Sequence, residues 1–123
     1  MANSIKHILK KKLDIKVGGK IWLESGGERF FGPGPLELLE KIEETGSISH
    51  AAKAMKMSYK KAWELINHLN DQTNSPVVVP QAGGEKGGGS TLTPEGLELI
   101  KYYQALHKRF KTFLAEESDG LKI

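Results

Sequence analysis

Residues 46–63 of this chain read Gly-Ser-Ile-Ser-His-Ala-Ala-Lys-Ala-Met-Lys-Met-Ser-Tyr-Lys-Lys-Ala-Trp. Serine is a favoured helix N-cap, and Ser47 and Ser58 each stand directly before apolar residues at helical spacing. The stretch therefore predicts two short helices joined by a tight turn, the second beginning with an exposed Ser-Tyr-Lys-Lys. This order is typical of a helix-turn-helix whose second helix enters the major groove of DNA.

Charge is unevenly distributed around this stretch. Lysine occupies positions 53, 56, 60 and 61, and no acidic residue occurs from His50 to Lys61. The helix predicted over about residues 35–45 instead has four glutamates and one lysine. One cationic and one anionic surface are expected when a polyanion approaches from one side. A lysine-rich face that is merely solvated is the alternative.

The segment before these helices predicts a small β structure. Residues 13–24 alternate in part between apolar and polar side chains, and the Ser-Gly-Gly-Glu at 25–28 has the composition of a turn. We therefore expect one or two strands and a hairpin here. The lysines at 10–12 form either a DNA-binding arm or a solubilising run, and both interpretations stay open.

A glycine-rich loop follows the helix pair. Val-Val-Val and Ser-Thr-Leu on either side of it predict two strands, and five of the seven residues from Gly83 to Gly89 are glycine. Glycine permits a positive φ and close approach to a sugar-phosphate chain, so we expect a wing in which Lys86, Gly87 and Gly88 contact DNA. A flexible hairpin turn is the alternative. A Walker loop is excluded because glycine follows the lysine where serine or threonine is required.

The C-terminal part of the chain predicts one long helix. Thr93 suits its N-cap and Pro94 its first position, and the helical pattern reaches about Glu117. Five apolar residues repeat at 4-3-4-3 spacing, like a coiled-coil seam: Leu99, Tyr103, Leu106, Phe110 and Phe113. Leu97 and Ile100 face elsewhere and would dock on the domain core. A small domain seldom needs both stripes for its own core, so we prefer dimerisation through this seam to a purely internal role.

Composition argues against several classes of protein. The chain has 123 residues, a formal net charge of +3, no cysteine and four scattered histidines. We therefore expect no metal, no cofactor and no catalytic site, and an enzyme is the weakest interpretation. No apolar run approaches the ~20 residues of a membrane span, and the N-terminal apolar stretch is too short for a signal peptide. A cytoplasmic protein of one compact domain is expected.

These motifs together resemble a known family. Ser-Tyr-Lys-Lys-Ala-Trp at 58–63, the glycine-rich segment at 83–89 and Leu-Thr-Pro-Glu-Gly at 92–96 are similar to the N-terminal domain of ModE, the molybdate-responsive bacterial transcription regulator with a LysR-type winged helix. The resemblance covers residues 36–114 and implies a dimeric, cytoplasmic regulator that binds double-stranded DNA. Molybdate-binding domains follow in the full regulator, whereas this sequence ends at residue 123. A separate effector-sensing partner and DNA binding without an effector are both left open.

Particular side chains become candidates for DNA contact. By position, the resemblance marks as groove-facing Ser58, Tyr59, Lys60 and Lys61. The full predicted set adds residues of the first helix, of the middle of the second helix and of the wing, namely Ser49, His50, Lys53, Glu64, Lys86, Gly87 and Gly88. The two arginines, Arg29 and Arg109, lie outside the predicted recognition helix. Bidentate arginine–guanine contacts are thus unavailable there, and readout falls to lysine, serine, tyrosine and asparagine.

Some of these assignments have structural alternatives. Tyr59 either contacts DNA or is partly buried in the core. Glu64 either accepts a hydrogen bond from a cytosine amino group or, as we prefer, pairs with Lys60 one helical turn earlier. Ser58 is expected both to cap its helix and to present its backbone N–H to a phosphate. His50 either touches a backbone phosphate or is an ordinary surface residue.

The predicted fold is α+β, mainly α with a small sheet. A winged helix-turn-helix at 33–93 follows a basic segment and hairpin at 1–32, and a long dimerisation helix occupies 94–123. The predicted function is sequence-specific DNA binding by a symmetric homodimer, in a regulator of molybdate transport or molybdenum-cofactor genes. The alternative is a winged-helix module without specific DNA binding that docks another protein through its C-terminal helix.

Overall fold

A computed structural model of the chain describes residues 4–81 and 89–122. After a 3-10 turn at Lys6–Ile8, the elements in chain order are β1 (Leu23–Ser25), β2 (Glu28–Phe31), α1 (Pro33–Thr45), α2 (Ile48–Ala54), α3 (Tyr59–Asn70), β3 (Val78–Gln81), β4 (Gly89–Leu92) and α4 (Pro94–Asp119). The strands form two antiparallel pairs, β1 with β2 and β3 with β4. The predicted α+β class with a winged helix-turn-helix is confirmed.

The chain divides into two compact units, residues 22–104 and residues 1–21 with 105–123. Every buried apolar side chain among the described residues belongs to the first unit. They are Phe31, Leu38, Leu39, Ile42, Ile48, Ala51, Ala52, Ala62, Ile66, Leu69, Val77, Val78, Leu92, Ile100 and Tyr103. The core thus lies under the three helices α1, α2 and α3, the first half of α4 and the strands beside them.

Glycine and serine set the geometry of the α1–α2 turn. Gly46 ends α1 with φ 69°, and its N–H donates to the carbonyl of Ile42 at 2.7 Å. Ser47 then caps α2 by accepting from the N–H of His50 at 3.1 Å. The cap at Ser47 confirms the sequence prediction. Helix α1 begins at Pro33, two residues earlier than predicted, because Gly32 takes an extended conformation directly before it.

The start of α4 is fixed against the end of the α3–β3 connection. The Thr93 hydroxyl accepts from the N–H of Gly96 at 3.2 Å and donates to the carbonyl of Pro76 at 2.7 Å. A Cβ atom at Gly96 would stand only 2.5 Å from the carbonyl oxygen of Val77. The predicted N-cap is confirmed, and the close approach of α4 to this backbone requires glycine.

The predicted hairpin is confirmed, but its first strand is much shorter than the alternation over residues 13–24 indicated. The hairpin β1–β2 begins only at Leu23 and turns at Gly26 and Gly27, whose φ values are 59° and 81°. The residues before it form no strand because no described strand lies beside them. Val17 instead donates its N–H to the hydroxyl of Ser118 at 2.8 Å, near the end of α4.

The residues of the apolar seam predicted along α4 differ in burial. Tyr103 is 1% exposed and packs edge-on against Phe31, with ring centroids 5.5 Å apart. Its assignment to a dimer interface is therefore wrong, because the first half of α4 fills the core of its own unit through Ile100 and Tyr103. Of the two residues expected to dock on that core, Ile100 does so, whereas Leu97 is exposed. Although α4 has 26 residues, no helix in the described ranges is long and apolar enough to cross a membrane.

The turn between α2 and α3 contains a strained lysine. Lys56 has φ 56°, the left-handed conformation that favours glycine. The N–H of Met57 donates to the carbonyl of Ala52 at 3.0 Å and that of Lys56 to Lys53 at 3.1 Å, which is the Schellman pattern of a helix end.

Replacing Lys56 with glycine is expected to raise the free energy of unfolding by about 0.5–1 kcal/mol, because relief of strain exceeds the added entropy of the unfolded chain. Urea unfolding followed by circular dichroism measures this change. Lys56→Ala is the control, since alanine removes the same side chain without relieving the backbone. Equal stability of the glycine and alanine variants would contradict a strained turn.

Candidate nucleic-acid interface

The start of α3 presents two lysines from a capped helix end. The Ser58 hydroxyl accepts from the N–H of Lys61 at 3.0 Å, which confirms its role as N-cap. Lys60 and Lys61 follow in the first turn, and both are exposed. The cap fixes the direction of α3 at the point where a recognition helix meets the base edges.

The lysines around α2 and α3 form no ion pair with any acidic side chain among the described residues. Lys53, Lys56, Lys60 and Lys61, which we call the lysine face, are all exposed. The ion pairs of the described chain lie elsewhere, at Asp14–Lys16, Lys41–Glu44 and Asp119–Lys122. Four ammonium groups on one helix pair thus face solvent without a carboxylate, as a phosphate-binding surface requires.

The preferred ion pair between Lys60 and Glu64 is wrong. Neither side chain forms an ion pair within the described residues, and Glu64 is exposed to solvent. An exposed pair at this spacing stabilises a helix by only ~0.3–0.5 kcal/mol, too little to hold two long side chains together. Lys60 is therefore exposed without an ion-pair partner in the described part of the chain.

Tyr59 lies at the surface rather than in the core. Its side chain is 55% exposed and its ring stands edge-on to that of Trp63, with centroids 6.3 Å apart. Trp63 is itself only half-buried. The contact with Trp63 orients the Tyr59 ring. The Tyr59 hydroxyl forms no hydrogen bond with any described residue.

A small polar cleft opens beside Tyr59. It has a volume of about 90 Å³ and is lined by Ser47, Ile48, Ser49, Tyr59, Gly89 and Ser90. The sequence prediction included Ser49 and Tyr59 as DNA contacts but missed Ser90, which approaches from β4. No local pattern brings these residues together, since the cleft depends on how β4 packs on the helices.

The remaining predicted residues lie at the surface or outside the described chain. Ser49 and His50 are exposed on α2. The wing residues Lys86, Gly87 and Gly88 lie outside the described residues. Arg29, one of two arginines in the sequence, stacks 3.4 Å above the Trp22 ring on the N-terminal hairpin.

Comparison with known proteins places residues 34–97 in a family model described as bacterial regulatory helix-turn-helix protein, lysR family. The molybdenum transport protein ModE of Azotobacter vinelandii is 42% identical over 86 residues, covering 70% of this chain and 32% of that protein. The molybdenum-pterin-binding protein MopB of Rhodobacter capsulatus is 39% identical over 101 residues, covering 82% and 37%. The DNA-binding transcriptional dual regulator ModE of Escherichia coli K12 is 42% identical over 77 residues, covering 63% and 29%.

The chain spans about a third of the length of these relatives. The crystal structure of a LysR family transcriptional regulator matches 65% of this chain and 26% of its own, with a TM-score of 0.50 and 24% identity. At that identity the likeness concerns the fold alone. The family match and the regulators among the relatives agree with the prediction that this chain is not an enzyme.

Proposed function

This chain belongs to the lysR family of bacterial regulatory helix-turn-helix proteins, and we propose that it regulates transcription by binding a specific double-stranded DNA sequence as a homodimer. The observation that carries the proposal is the lysine face on α2 and α3, whose ammonium groups form no ion pair within residues 4–81 and 89–122. In a helix-turn-helix this surface meets the duplex, and lysines without carboxylate partners need no rearrangement before they contact phosphate.

Sequence readout in this proposal rests on the first turns of α3. Lys60, Lys61 and Tyr59 are exposed there, and the helix has no arginine. Lysine can donate to the O6 and N7 atoms of guanine, and Tyr59 offers a ring to a thymine methyl group. The other predicted contacts, from Ser49, His50, Lys53, Glu64 and the wing residues 86–88, are part of the same proposal.

Selection from a pool of duplexes with a randomised central region tests this proposal. A symmetric dimer predicts an inverted repeat whose half-sites lie about one helical turn apart, roughly 34 Å or a multiple of it. The selected duplex then serves as the probe in all binding measurements. Recovery of unrelated sequences after several rounds would contradict specific binding.

We also propose that the second half of α4 forms the dimer contact, so that residues 33–93 contact DNA and 94–123 join the protomers. None of the described side chains in residues 4–21 and 105–122 is buried. In these two segments, which form the second compact unit, the described large apolar residues that are exposed are Ile5, Ile8, Leu13 and Phe113. A unit of this size cannot form a core from its own residues, and a second copy supplies the missing apolar surface.

The proposed contact on α4 uses Leu106, Phe110 and Phe113. Leu106 and Phe110 are half-buried, and Phe113 is 54% exposed. Leu99, the first residue of the predicted seam, is half-buried within the other unit and stays a prediction. Apolar residues at 4-3 spacing on an exposed helix face match the seam of a helix pair.

Phe113→Glu is expected to weaken dimerisation by at least about 100-fold, because a carboxylate would replace a large apolar contact. Sedimentation equilibrium over a range of protein concentrations measures the change. Thr112→Glu adds the same charge at the exposed neighbouring position and should leave the dimer intact. A Phe113→Glu protein that remains dimeric with the wild-type dissociation constant would contradict this interface.

Control of molybdenum-related genes is the finer part of the proposal. Its support is the similarity to a molybdenum transport protein and a molybdenum-pterin-binding protein. Genomic fragments bound by the chain, once sequenced, should lie upstream of molybdate transport or molybdenum-cofactor genes. Fragments from unrelated promoters would leave DNA binding intact but contradict this regulon. A cytoplasmic location and an effector-sensing partner belong to the same proposal.

A further inference from the structure

We propose that the cleft beside Tyr59 binds one phosphate group of the DNA backbone, an inference that rests on the proposed DNA binding. Its lining combines three hydroxyl-bearing side chains from three elements: Ser49 of α2, Tyr59 of α3 and Ser90 of β4. Its volume of about 90 Å³ exceeds the ~10–15 Å³ that a single water molecule needs. The non-bridging oxygens of a single phosphate group fit a space of this size.

The three hydroxyls are free to donate. The side-chain hydroxyls of Ser49, Tyr59 and Ser90 have no hydrogen-bond partner among residues 4–81 and 89–122. Ser47, by contrast, already accepts from the N–H of His50 as the cap of α2. Each free hydroxyl supplies one O–H donor, and a phosphate group has enough acceptor lone pairs for all three.

The cleft exists because β4 packs tightly on the α1–α2 turn. The N–H of Ser90 donates to the carbonyl of Gly46 at 2.9 Å. A Cβ atom at Gly89 would stand 2.8 Å from the same carbonyl oxygen, so only glycine permits this approach. The wing strand is therefore fixed to the helix-turn-helix at the point where the Ser90 side chain joins those of α2 and α3.

The chemistry of the lining favours a phosphodiester over a free tetrahedral oxyanion. Among the described residues that line the cleft, none is a lysine, arginine or histidine. Neutral hydroxyls compensate poorly for the hydration that a free, fully charged oxyanion loses on binding. A backbone phosphate is instead held in place by the rest of the duplex and by the neighbouring Lys60 and Lys61, so three neutral donors suffice to position it.

Ser49→Ala, Tyr59→Phe and Ser90→Ala each remove one donor while keeping the backbone and, for Tyr59, the ring. Each is expected to lower affinity for the selected duplex by roughly tenfold, the effect of one hydrogen bond to a charged group. The salt dependence of binding should not change, because a hydroxyl releases no counterion. Thr91→Val is the control, since alternation along β4 directs this neighbouring hydroxyl to the opposite face.

Duplexes in which one phosphate at a time is replaced by a neutral methylphosphonate locate the group that is bound. At one position per half-site, this replacement should weaken DNA binding by the wild-type protein. It should not weaken further the binding of the triple hydroxyl variant, which carries Ser49→Ala, Tyr59→Phe and Ser90→Ala together. A triple hydroxyl variant with wild-type affinity would overturn the assignment of the cleft as a phosphate-binding site. The proposed function would not be affected. Failure of the wild type to bind any DNA would overturn the proposed function itself.

Calorimetry with inorganic phosphate and with molybdate tests whether the cleft binds a free oxyanion instead of a phosphate group of the DNA backbone. The expected result is no heat of binding from either ion with the free protein. Saturable binding that disappears in the triple hydroxyl variant would assign the cleft to a free anion and overturn the phosphodiester assignment.

Discussion

Replacing Lys60 and Lys61 together by glutamate is expected to lower affinity for the selected duplex by about 100-fold or more, since two phosphate or base contacts become two repulsions. Both lysines are exposed in the first turn of α3, and neither is neutralised by a carboxylate among the described residues. Fluorescence anisotropy at fixed salt concentration measures the loss. The magnitude of the salt slope should also decrease by about 0.9 for each phosphate contact removed.

A second pair of lysines controls for the change in net charge. Lys101 and Lys108 are exposed on α4, and their replacement by glutamate alters the total charge equally. This variant should retain most of its affinity, because distant charges act only through a screened field. Equal losses in the two double variants would contradict a DNA-binding surface on α3. An unchanged affinity of the Lys60 and Lys61 variant would favour the alternative of a protein-binding module.

Tyr103→Ala is expected to lower the free energy of unfolding by about 3–5 kcal/mol, the cost of removing a fully buried aromatic side chain. Tyr103 is 1% exposed and stands edge-on to Phe31. Urea unfolding at several protein concentrations measures this loss. It should appear at every concentration, because the residue belongs to the core of one protomer. A loss that appears only where the protein dimerises would return Tyr103 to the interface.

The phenol of Tyr103 also makes the free energy of unfolding depend on pH in the alkaline range. Burial raises the pKa of Tyr103 above its ordinary value because the ionised form would lose its hydration. The unfolded chain therefore releases this proton at lower pH than the folded chain. The stabilising contribution is complete below the unfolded pKa and is lost as pH rises through the folded pKa. Tyr103→Phe should remove this dependence, which unfolding at increasing alkaline pH measures.

Local rules were sufficient to predict the helix-turn-helix. Ser47, Ser58 and Thr93 act through hydrogen bonds within three residues of each cap, so their roles are visible in the sequence. Ala51 and Ala62 are fully buried, and their small side chains allow the helices to pack closely. The lysine face could also be predicted, because the sequence shows four lysines and no acidic residue from His50 to Lys61.

Features that depend on tertiary packing were not predictable in the same way. The spacing of Tyr103 fits a dimer seam as well as a core stripe, and only the position of Phe31 decides between them. The alternation at residues 13–22 is compatible with a strand, but pairing needs a neighbour that the sequence does not identify. The position of Ser90 in the cleft likewise depends on contact between β4 and the α1–α2 turn.

Anisotropy titration of the selected duplex over a range of salt concentrations, beside a scrambled duplex, tests the central claim most directly. If the four lysines of each protomer's lysine face reach phosphates, the slope of log K against log salt concentration should approach about −7. Preference for the selected duplex should be at least about 1,000-fold. Binding that is indifferent to salt, or equal for the two duplexes, would contradict recognition of DNA by this surface.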